Sequence, residues 1–312
     1  MSITLTQLRS FLAVVRAGSV TEAADALFVT QPSISAAVTA LSRELDTALL
    51  ERVGRGVQTT AAGAAFAPFA ADVIGLLDAG ARAALEAAEA TQRALRIAAV
   101  TTAAESFVPG LMHRFSIAHP DVGLMLSVGN RQRVLELVAA HEADVAFGGS
   151  PPETGRIEAH AFMTNELVLV CAPDAPLARR EQVSVGELVG CTWLLREPGS
   201  GTRTVNEVFL AEHGLASQTL TVGSNGAIKQ AARAGLGVSF VSRCAVEAEL
   251  QGGLLETIDI EAAPVARRWH VMQSSIGPRR AIVEDFVGFV RSGEAAARTP
   301  RHSTTAAKSS GI

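Results

Sequence analysis

The chain has 312 residues, 48% hydrophobic and 19% charged, which is enough for two or three modules with their own cores. The composition excludes a nonspecific polycation, because Lys229 and Lys308 are the only lysines and the formal net charge is −4. The N-terminus has no basic stretch followed by an apolar core, and no run of about 20 apolar residues occurs, so we expect a cytoplasmic protein with no membrane partner.

Two capping patterns predict the first helices of the chain. Residues 4–7 (TLTQ) and 19–22 (SVTE) each have the spacing of a capping box, in which a hydroxyl accepts from the third amide along and a Gln or Glu reaches back. The first helix can brace the next two, and the second ends at the corner 28–30 (FVT). The predicted apolar faces are Leu8, Phe11, Leu12 and Val15 in the first helix, and Ala23, Ala24, Ala26 and Leu27 in the second.

A third helix is predicted over residues 32–45. Thr30 or Gln31 can cap it, because Pro32 lacks an amide donor and is tolerated in a first helical turn. Its large apolar residues recur at helical steps and form one stripe that faces the core, namely Ile34, Val38, Leu41 and Leu45. Small side chains on the other side would let the helix approach base edges and phosphates closely. We assign the DNA-binding face to Thr30, Gln31, Pro32, Ser33, Ser35, Ala36 and Thr39.

The next segment, 52–57 (RVGRGV), carries two arginines in a loop interrupted by glycines. It predicts a hairpin wing in which Arg52 and Arg55 clamp phosphates or enter the minor groove. With the helix pair, this is the layout of a winged helix-turn-helix, which places one helix in a DNA groove. An ordinary three-helix bundle with a solvated loop is the alternative, since residues 1–60 hold five Arg and five Asp or Glu.

Residues 61–93 are rich in alanine and predict one long helix with an apolar side. Its large apolar residues fall at mostly helical intervals and are Phe66, Phe69, Val73, Leu76, Leu77 and Leu85. Such a helix between two domains can bury its stripe against a twin chain, and a dimer would present two recognition helices to two half-sites. The alternative is a helix packed on its own domain.

Beyond Arg96 the pattern changes to alternating strands and helices. Such repetition predicts a mainly parallel sheet flanked by helices, arranged as two similar lobes around a cleft. The predicted strands are 95–100, 122–128, 144–149, 166–172, 192–195, 219–222 and 237–242, and helices are predicted at 105–117 and 134–141.

Open parallel sheets bind ligands at the carboxyl ends of their strands, where helix N-termini offer free amides. Three turns there have the chemistry for an anion, although each alone could be an ordinary helix cap: 101–103 (TTA), 198–203 (PGSGTR) and 223–226 (GSNG). The candidate residues for such a ligand are Thr101, Thr102, Asn130, Ser200, Gly201, Thr202 and Asn225.

The cysteines and histidines show no metal or disulfide pattern. Cys171, Cys191 and Cys244 lie far apart and none forms a C-x-x-C pair, so we expect free thiols and no metal site. His113 and His119 are expected to be ordinary helix and loop residues.

The chain resembles the LysR-type transcriptional regulators over about residues 2–292. The resemblance depends on an ordered motif string: Ala23-Ala24, Thr30-Gln31-Pro32-Ser33-Ile34-Ser35, Leu41, Glu44-Leu45, Glu51-Arg52, Thr60, Ala62 and Gly63. The chain departs at Ala36, where the family usually has a polar or basic residue, and at Asp46 and Leu50, where it often has Gly and Phe. We expect the fold to survive and base preference to differ, because Ala36 can make only apolar contact, for example with a thymine methyl.

The resemblance implies a mixed fold. It divides the chain into a mainly α winged helix-turn-helix domain (1–62), a linker and dimerisation helix (63–93) and an α/β effector-binding domain of the periplasmic-binding-protein type (94–292). The remaining residues, 293–312, are small and polar with no apolar period, so we expect a disordered tail. Lobe I of the effector-binding domain would be about 94–164 with 267–292, and lobe II about 165–266. The implied assembly is a homodimer, often a homotetramer, that binds promoter DNA.

In the family, the effector lies between the lobes and touches the turns that match Thr101, Thr102, Ser200, Thr202 and Asn225. The resemblance therefore implies a small, anionic metabolite as effector, no cofactor, and contact with RNA polymerase. Residues 196–203 and 224–242 are most similar to regulators of carbon fixation and of sulfur or nitrogen assimilation. Effector binding would change lobe closure and so the spacing of the winged helices on DNA.

An enzyme is not indicated. Ser200 lies between two glycines but lacks the G-x-S-x-G elbow, and the segments 54–56 and 235–237 are fragments of a dinucleotide fingerprint without its third glycine. A solute-binding protein would share the second module but would need export, and the first 93 residues would then have no use.

Overall fold

The computed structural model describes residues 2–54, 56–88, 93–153, 155–260 and 266–292. Arg55 and the tail 293–312 lie outside the described residues, as does the end of the predicted linker helix at 89–92.

The first domain is a three-helix unit with a hairpin. Its elements are α1 (Leu5–Ala17), α2 (Val20–Ala26), α3 (Gln31–Glu44), β1 (Leu50–Val53) and β2 (Gly56–Thr59). The two strands pair antiparallel, with Arg52 opposite Val57. Phe11, Ile34 and Leu41 are fully buried between the helices, as the apolar stripe on α3 predicts.

The caps of these helices follow their sequence signals in most details. The Thr4 box is complete, since the Thr4 hydroxyl accepts from the Gln7 amide and the Gln7 side chain accepts from the Thr4 amide at 2.7 Å. At Ser19 the hydroxyl accepts from the Glu22 amide at 3.4 Å, which is one half of the predicted box. Thr30 caps α3 by accepting from the Ser33 amide.

The apolar face predicted for α2 is half wrong. Ala23 and Ala24 are buried, but Ala26 and Leu27 are exposed. The helix has only seven residues, and Phe28 follows it in the left-handed region (φ 55°), so the chain turns away from the core before Leu27 can reach it.

Helix α4 (Ala61–Ala88) connects the two domains. Among the described residues it is the one helix that is long and apolar enough, by length and composition alone, to cross a membrane, which the sequence analysis did not anticipate. Asp72 and Asp78 interrupt its apolar residues, and Phe66 packs against Phe11 of α1 with ring centroids 5.8 Å apart. The helix therefore lies on folded domains at several points along its length.

Lobe I begins after α4, and the chain then enters lobe II. The first elements of lobe I are β3 (Ala94–Val100), α5 (Thr101–Ser106), α6 (Val108–Ala118), β4 (Gly123–Gly129), α7 (Arg131–Ala139), β5 (Val145–Gly148) and β6 (Ile157–Asn165). Lobe II contains β7 (Leu167–Cys171), a short 3₁₀ helix (Val185–Leu188), β8 (Trp193–Arg196), α8 (Gly201–Glu212), β9 (Thr219–Val222), α9 (Asn225–Arg233), β10 (Ser239–Ser242), α10 (Arg243–Gln251) and β11 (Glu256–Ile258).

The chain returns to lobe I through β12 (Arg267–Ser274) and ends its described part with α11 (Ala281–Arg291). The lobe I sheet has the order β4-β3-β5-β12-β6, and lobe II has a three-stranded sheet β10-β7-β11 beside the pair β8-β9. Separate apolar clusters fill the two lobes, with Phe115, Phe147 and Phe286 in lobe I and Trp193 and Phe240 in lobe II.

The prediction of a mainly parallel sheet is wrong, because the lobe I sheet is mixed and the three-stranded sheet of lobe II is antiparallel. β3 is parallel to both β4 and β5, but β12 is antiparallel to β5 and β6, and β7 is antiparallel to β10 and β11. The antiparallel strands of lobe I, β6 and β12, are those that carry the chain out of this lobe and back. They have no helical crossover of their own to make them parallel.

The single helix predicted at 105–117 is two helices. α5 ends at Ser106, Phe107 lies between the helices, and α6 begins at Val108 with Pro109 in its first turn. Proline has no amide to donate to the preceding turn, so a continuous helix is interrupted there. The Phe107 ring then turns into the core, with its centroid 5.3 Å from that of Trp269.

Candidate DNA-binding and effector-binding sites

The predicted DNA-binding face of α3 is exposed along its length. The residues assigned to it, all solvent-exposed, are Thr30, Gln31, Pro32, Ser33, Ser35, Ala36 and Thr39. On the opposite side Ile34 and Leu41 are buried. The exposed side chains are small, so the helix axis can approach a duplex closely.

One arginine that the sequence analysis did not assign extends this face. Arg43 follows Thr39 by four residues, which places both on one side of α3, and it is exposed. The spacing from Thr39 was the available signal. Arg43 adds a positive charge to an otherwise neutral stripe, and a positive charge strengthens contact with phosphates.

The arginines of the first domain divide into two groups. Arg9 and Arg16 pair with Asp78 and Glu142, on the side that faces α4 and lobe I. Within the described residues, Arg43 and the wing residue Arg52 are exposed and have no carboxylate partner. Two cations are thus free for phosphates where the domain is open to solvent, although its total charge is balanced. Arg55, predicted to join them, lies outside the described residues.

A cleft of about 280 Å³ lies between the two lobes at the carboxyl ends of β3, β4 and β8. Most of the residues predicted from the turns line it together: Thr101, Thr102, Asn130, Ser200, Gly201 and Thr202. Thr102 and Ser200 come from different lobes and are both buried. The structure therefore joins turns that are about 100 residues apart in the sequence.

Asn225 does not line this cleft but lies behind its wall. Its side-chain NH₂ donates to the Thr102 hydroxyl at 2.9 Å, and its carbonyl oxygen accepts from Arg196. It is 4% exposed, so both ends of its amide are occupied within the protein. Asn225, predicted to contact the effector, therefore bonds to Thr102 and Arg196 instead of lining the cleft.

Asn130 is held at the edge of the cleft by two partners. Its carbonyl oxygen accepts from the Arg133 amide at 2.9 Å and caps α7, and its NH₂ donates to the Pro198 carbonyl of lobe II at 3.3 Å. This residue therefore connects the two lobes where the cleft opens.

Sequence reasoning missed the arginines of the cleft. Arg131, Arg196 and Arg267 line it, and no carboxylate does so in the described part of the chain. Arg196 is already paired, because Glu197 binds its Nε at 2.7 Å and its Nη2 at 2.8 Å. The available signal was an arginine that ends the otherwise apolar strand β8 (WLLR).

Arg267 and Arg131 are the cations that remain open to a ligand. Arg131 donates to the Ser150 carbonyl at 3.1 Å, and within the described residues neither arginine has a carboxylate partner. Burial, together with the charge of Arg131, lowers the pKa of Arg267. Asn165 also lines the cleft, and its buried side-chain oxygen has no hydrogen-bond partner in the described structure. The site has an excess of positive charge and polar atoms left for a ligand.

Comparison with known proteins agrees with this geometry. The family model for the bacterial regulatory helix-turn-helix protein, lysR family, matches residues 5–64, and that for the LysR substrate binding domain matches residues 88–295. The chain belongs to the LysR family of transcriptional regulators. The fold predicted from the resemblance is confirmed, with the corrections to the sheets given above.

Two transcriptional regulators are similar to most of the chain. The RuBisCO operon transcriptional regulator of Allochromatium vinosum is 37% identical over 295 residues, covering 92% of this chain and 96% of the relative. The transcriptional activator CmpR of Synechocystis is 32% identical and covers 92% of this chain and 94% of the relative. The predicted carbon-fixation branch is confirmed, and these relatives are transcriptional regulators rather than enzymes.

A solved structure matches the second module. The regulatory domain of CcmR from Synechocystis PCC6803, in complex with 2-PG, is 30% identical with a TM-score of 0.61, and the match covers 64% of this chain and 97% of that domain. This LysR regulator therefore carries an effector-binding domain of the type that binds small molecules.

Proposed function

We propose that this LysR regulator acts in the cytoplasm, binds promoter DNA through the exposed face of α3 and the wing, and changes its DNA binding when a small anionic metabolite occupies the cleft. The observation that carries the proposal is the pair Arg131 and Arg267 in a cleft without a carboxylate among its described residues. The ligand would supply the missing negative charge.

The charge balance of the cleft favours an anion over a neutral metabolite. A guanidinium removed from water is stabilised by a charged hydrogen-bond acceptor more than by a neutral one. Neighbouring side chains add neutral donors, namely the hydroxyls of Thr101, Ser200 and Thr202. The volume of about 280 Å³ is at the low end for ligand pockets, which limits the effector to a small molecule.

The first compound to test is 2-PG, because a similar regulatory domain, that of CcmR, is in complex with it. Isothermal titration of the full chain with 2-PG and with a panel of anionic, neutral and cationic metabolites identifies the class. Arg267→Gln should weaken binding of the anionic ligand by about 1.5–3 kcal/mol, the range for a hydrogen bond to a charged group.

The matched control is Arg268→Gln. Arg268 is the next residue on β12, so its side chain leaves the opposite face, and it is exposed and absent from the cleft. Its variant should bind as the wild type does. Binding that is unchanged in Arg267→Gln, or a panel in which only neutral or cationic metabolites bind, would refute the anion site.

We propose further that the functional unit is a dimer formed through α4, with tetramers built from two dimers. The support is a stripe of exposed apolar side chains along this helix: Phe69 (64% exposed), Val73 (49%), Leu77 (49%) and Leu85 (57%). A second copy of the same helix would cover it and present two α3 faces to two half-sites. Promoter binding in that form would bring the protein to RNA polymerase.

A further inference from the structure

The N-terminal end of α7 touches lobe II directly. Besides the bond from Asn130 to Pro198, the Gln132 amide donates to the Gly199 carbonyl at 3.3 Å. Gly199 has φ +83°, and a Cβ built on it would lie 3.0 Å from Asn130 Nδ2 and 3.1 Å from the Gln132 side-chain oxygen. A change in the separation of the lobes must therefore push or pull on the first turn of α7.

The C-terminal end of α7 packs on the linker helix. A Cβ built on Gly75 of α4 would lie 2.5 Å from the Ala140 carbonyl oxygen and 2.6 Å from the His141 Cβ. The backbone of α4 at Gly75 is thus in close contact with the Ala140 carbonyl and with the His141 side chain. Because α7 is about 13 Å long, it spans the distance from the cleft to α4 as one rigid element.

A buried carboxylate joins the two helices at this point. Asp72 of α4 is 9% exposed, and Arg156 Nη2 lies 2.6 Å from each of its oxygens. His141 Nε2 lies 3.2 Å from Asp72 Oδ1, and His141 is held in the left-handed region at φ 56°. Burial of a carboxylate without such partners costs free energy. Asp72 therefore restricts the positions that His141, after the end of α7, and Arg156 can take on α4.

The same end of α7 also reaches the DNA-binding domain. Glu142 Oε1 lies 2.5 Å from Arg16 Nη2 of α1, and Glu142 Oε2 lies 3.6 Å from Arg133 of α7. One short segment, 140–142, therefore contacts both the linker helix and the first helix of the winged domain.

We propose that Asp72 is a positioning residue for regulation: through its pairing with Arg156 and His141, displacement of α7 by lobe II is passed to α4 and so to the DNA-binding domain. The proposal rests on the proposed function, since it describes how occupancy of the cleft reaches α3. The proposed connection has one identifiable joint, which consists of Asp72 of α4 with its partners Arg156 and His141.

The test needs neither effector nor operator, so its failure is distinct from failure of the proposed function. Gly199→Ala strains lobe II against α7. In the full chain, hydrogen exchange measured by mass spectrometry should then change in α7 and also in α4 around residues 70–76. The expected change is roughly 2- to 30-fold, corresponding to the usual range of coupling between linked sites. Gly190→Ala is the matched control, because Gly190 has φ +92° but nothing within 4 Å of a built Cβ.

Asp72→Asn should remove the response of α4 to Gly199→Ala and leave the response of α7 intact. Asp78→Asn, on the same helix but half exposed and paired with Arg9, should leave both responses in place. Arg156→Gln removes the ion pair with Asp72 by changing its partner in lobe I, and it replaces Asp72→Asn in the test if that variant does not fold. A merely structural role for Asp72 would lower stability without separating the two responses. The proposal is overturned if α4 still responds in both joint variants, or if Gly199→Ala changes exchange in the lobes alone.

Discussion

Asn225 of lobe II donates to the Thr102 hydroxyl of lobe I at 2.9 Å, while its carbonyl oxygen accepts from Arg196. One buried amide thus joins the lobes and holds two residues that line the cleft. Asn225→Ala leaves the Thr102 hydroxyl and one donor of Arg196 without partners. We expect the free energy of unfolding of the effector-binding domain to fall by about 1–3 kcal/mol, measured by urea denaturation.

Asn206→Ala is the control for this prediction. Asn206 is also buried, but its side chain bonds to Thr202 and Phe240 within lobe II. Both variants should be less stable, but only Asn225→Ala should increase hydrogen exchange on both sides of the cleft. An Asn225→Ala protein with wild-type stability and exchange would show that this bond does not hold the lobes together.

The exposed face of α3 predicts that operator binding can be lost without loss of folding. Ala36→Glu places a carboxylate among residues assigned to the DNA contact, where it would repel phosphates and base acceptors. In gel shifts with DNA from upstream of the protein's own gene, binding should be abolished while the melting temperature stays within a few degrees of the wild type.

Ala248→Glu tests whether the added charge alone explains the loss. Ala248 is an exposed residue of α10 in lobe II, remote in sequence from α3. This variant should shift DNA as the wild type does. Equal losses in the two variants, or full binding by Ala36→Glu, would contradict the assignment of the α3 face.

The wing makes a separate prediction about salt. Arg52 is exposed and has no carboxylate partner among the described residues, so we expect it to contact a phosphate. Arg52→Ala should weaken binding to all sequences alike and reduce the slope of log affinity against log salt by about 1. Fluorescence anisotropy over a range of salt concentrations measures this slope.

Arg43→Ala should behave in the same way if Arg43 extends the α3 face. Arg9→Ala is the control, since Arg9 pairs with Asp78 on the side facing α4. An unchanged slope in Arg52→Ala would remove the wing from the DNA contact.

The winged domain could be predicted from the sequence because its signals are local. Capping residues, the proline in the first turn of α3 and the spacing of Ile34 and Leu41 each act within a few residues. The turns of the cleft could be predicted for the same reason, because Thr101 and Ser200 each follow a buried strand in the sequence.

The missed features depend on long-range contacts. β6 has no buried apolar run, and β12 starts with Arg267 and Arg268 and has only a short one, so neither has a clear strand signal in the sequence. Arg267 enters the cleft only because β12 returns from lobe II. Likewise the local sequence around Asn225 predicts only a turn. Its burial and its hydrogen bond to Thr102 could not be predicted, because Thr102 is 123 residues away in the sequence.

The stripe on α4 predicts that a charge there will dissociate the assembly. Phe69→Glu puts a carboxylate at a residue that is 64% exposed, so the fold of one chain should tolerate it. In a dimer the charge would be buried in an apolar contact, which is strongly unfavourable. Sedimentation velocity should show the dimer converting to monomer.

Val189→Glu is the matched control, because Val189 is 70% exposed on lobe II. This variant should keep the wild-type sedimentation coefficient. A Phe69→Glu protein that sediments as the wild type would exclude this stripe from the subunit interface.

Asp144 predicts a specific loss of stability in acid. Burial is the largest single influence on its carboxyl and favours protonation, but hydrogen bonds and charges of Arg96, with the charge of Arg280, together outweigh it and hold the pKa of Asp144 below its ordinary value. The distances are 2.9 Å to Arg96 Nη2 and 2.7 Å to Arg280 Nη2. The contribution of Asp144 to stability is therefore present above its ordinary pKa of 3.8 and is lost as pH falls through the lower folded-state pKa.

Asp144→Asn should lower the free energy of unfolding at neutral pH by about 1–3 kcal/mol, because Arg96 loses its carboxylate partner and Arg280 keeps only Glu86 among the described carboxylates. The difference from the wild type should shrink as denaturation is repeated at pH values from about 7 to about 3, because Asp144 of the unfolded chain takes up a proton around its ordinary pKa of 3.8 and unfolding of the wild type is then favoured. Asp121→Asn serves as control, because the Asp121 side chain is 45% exposed beside Arg93 and its pair should contribute about 1 kcal/mol or less. A difference between Asp144→Asn and the wild type that stays constant down to about pH 3 would mean that the charge of Asp144 does not stabilise the fold.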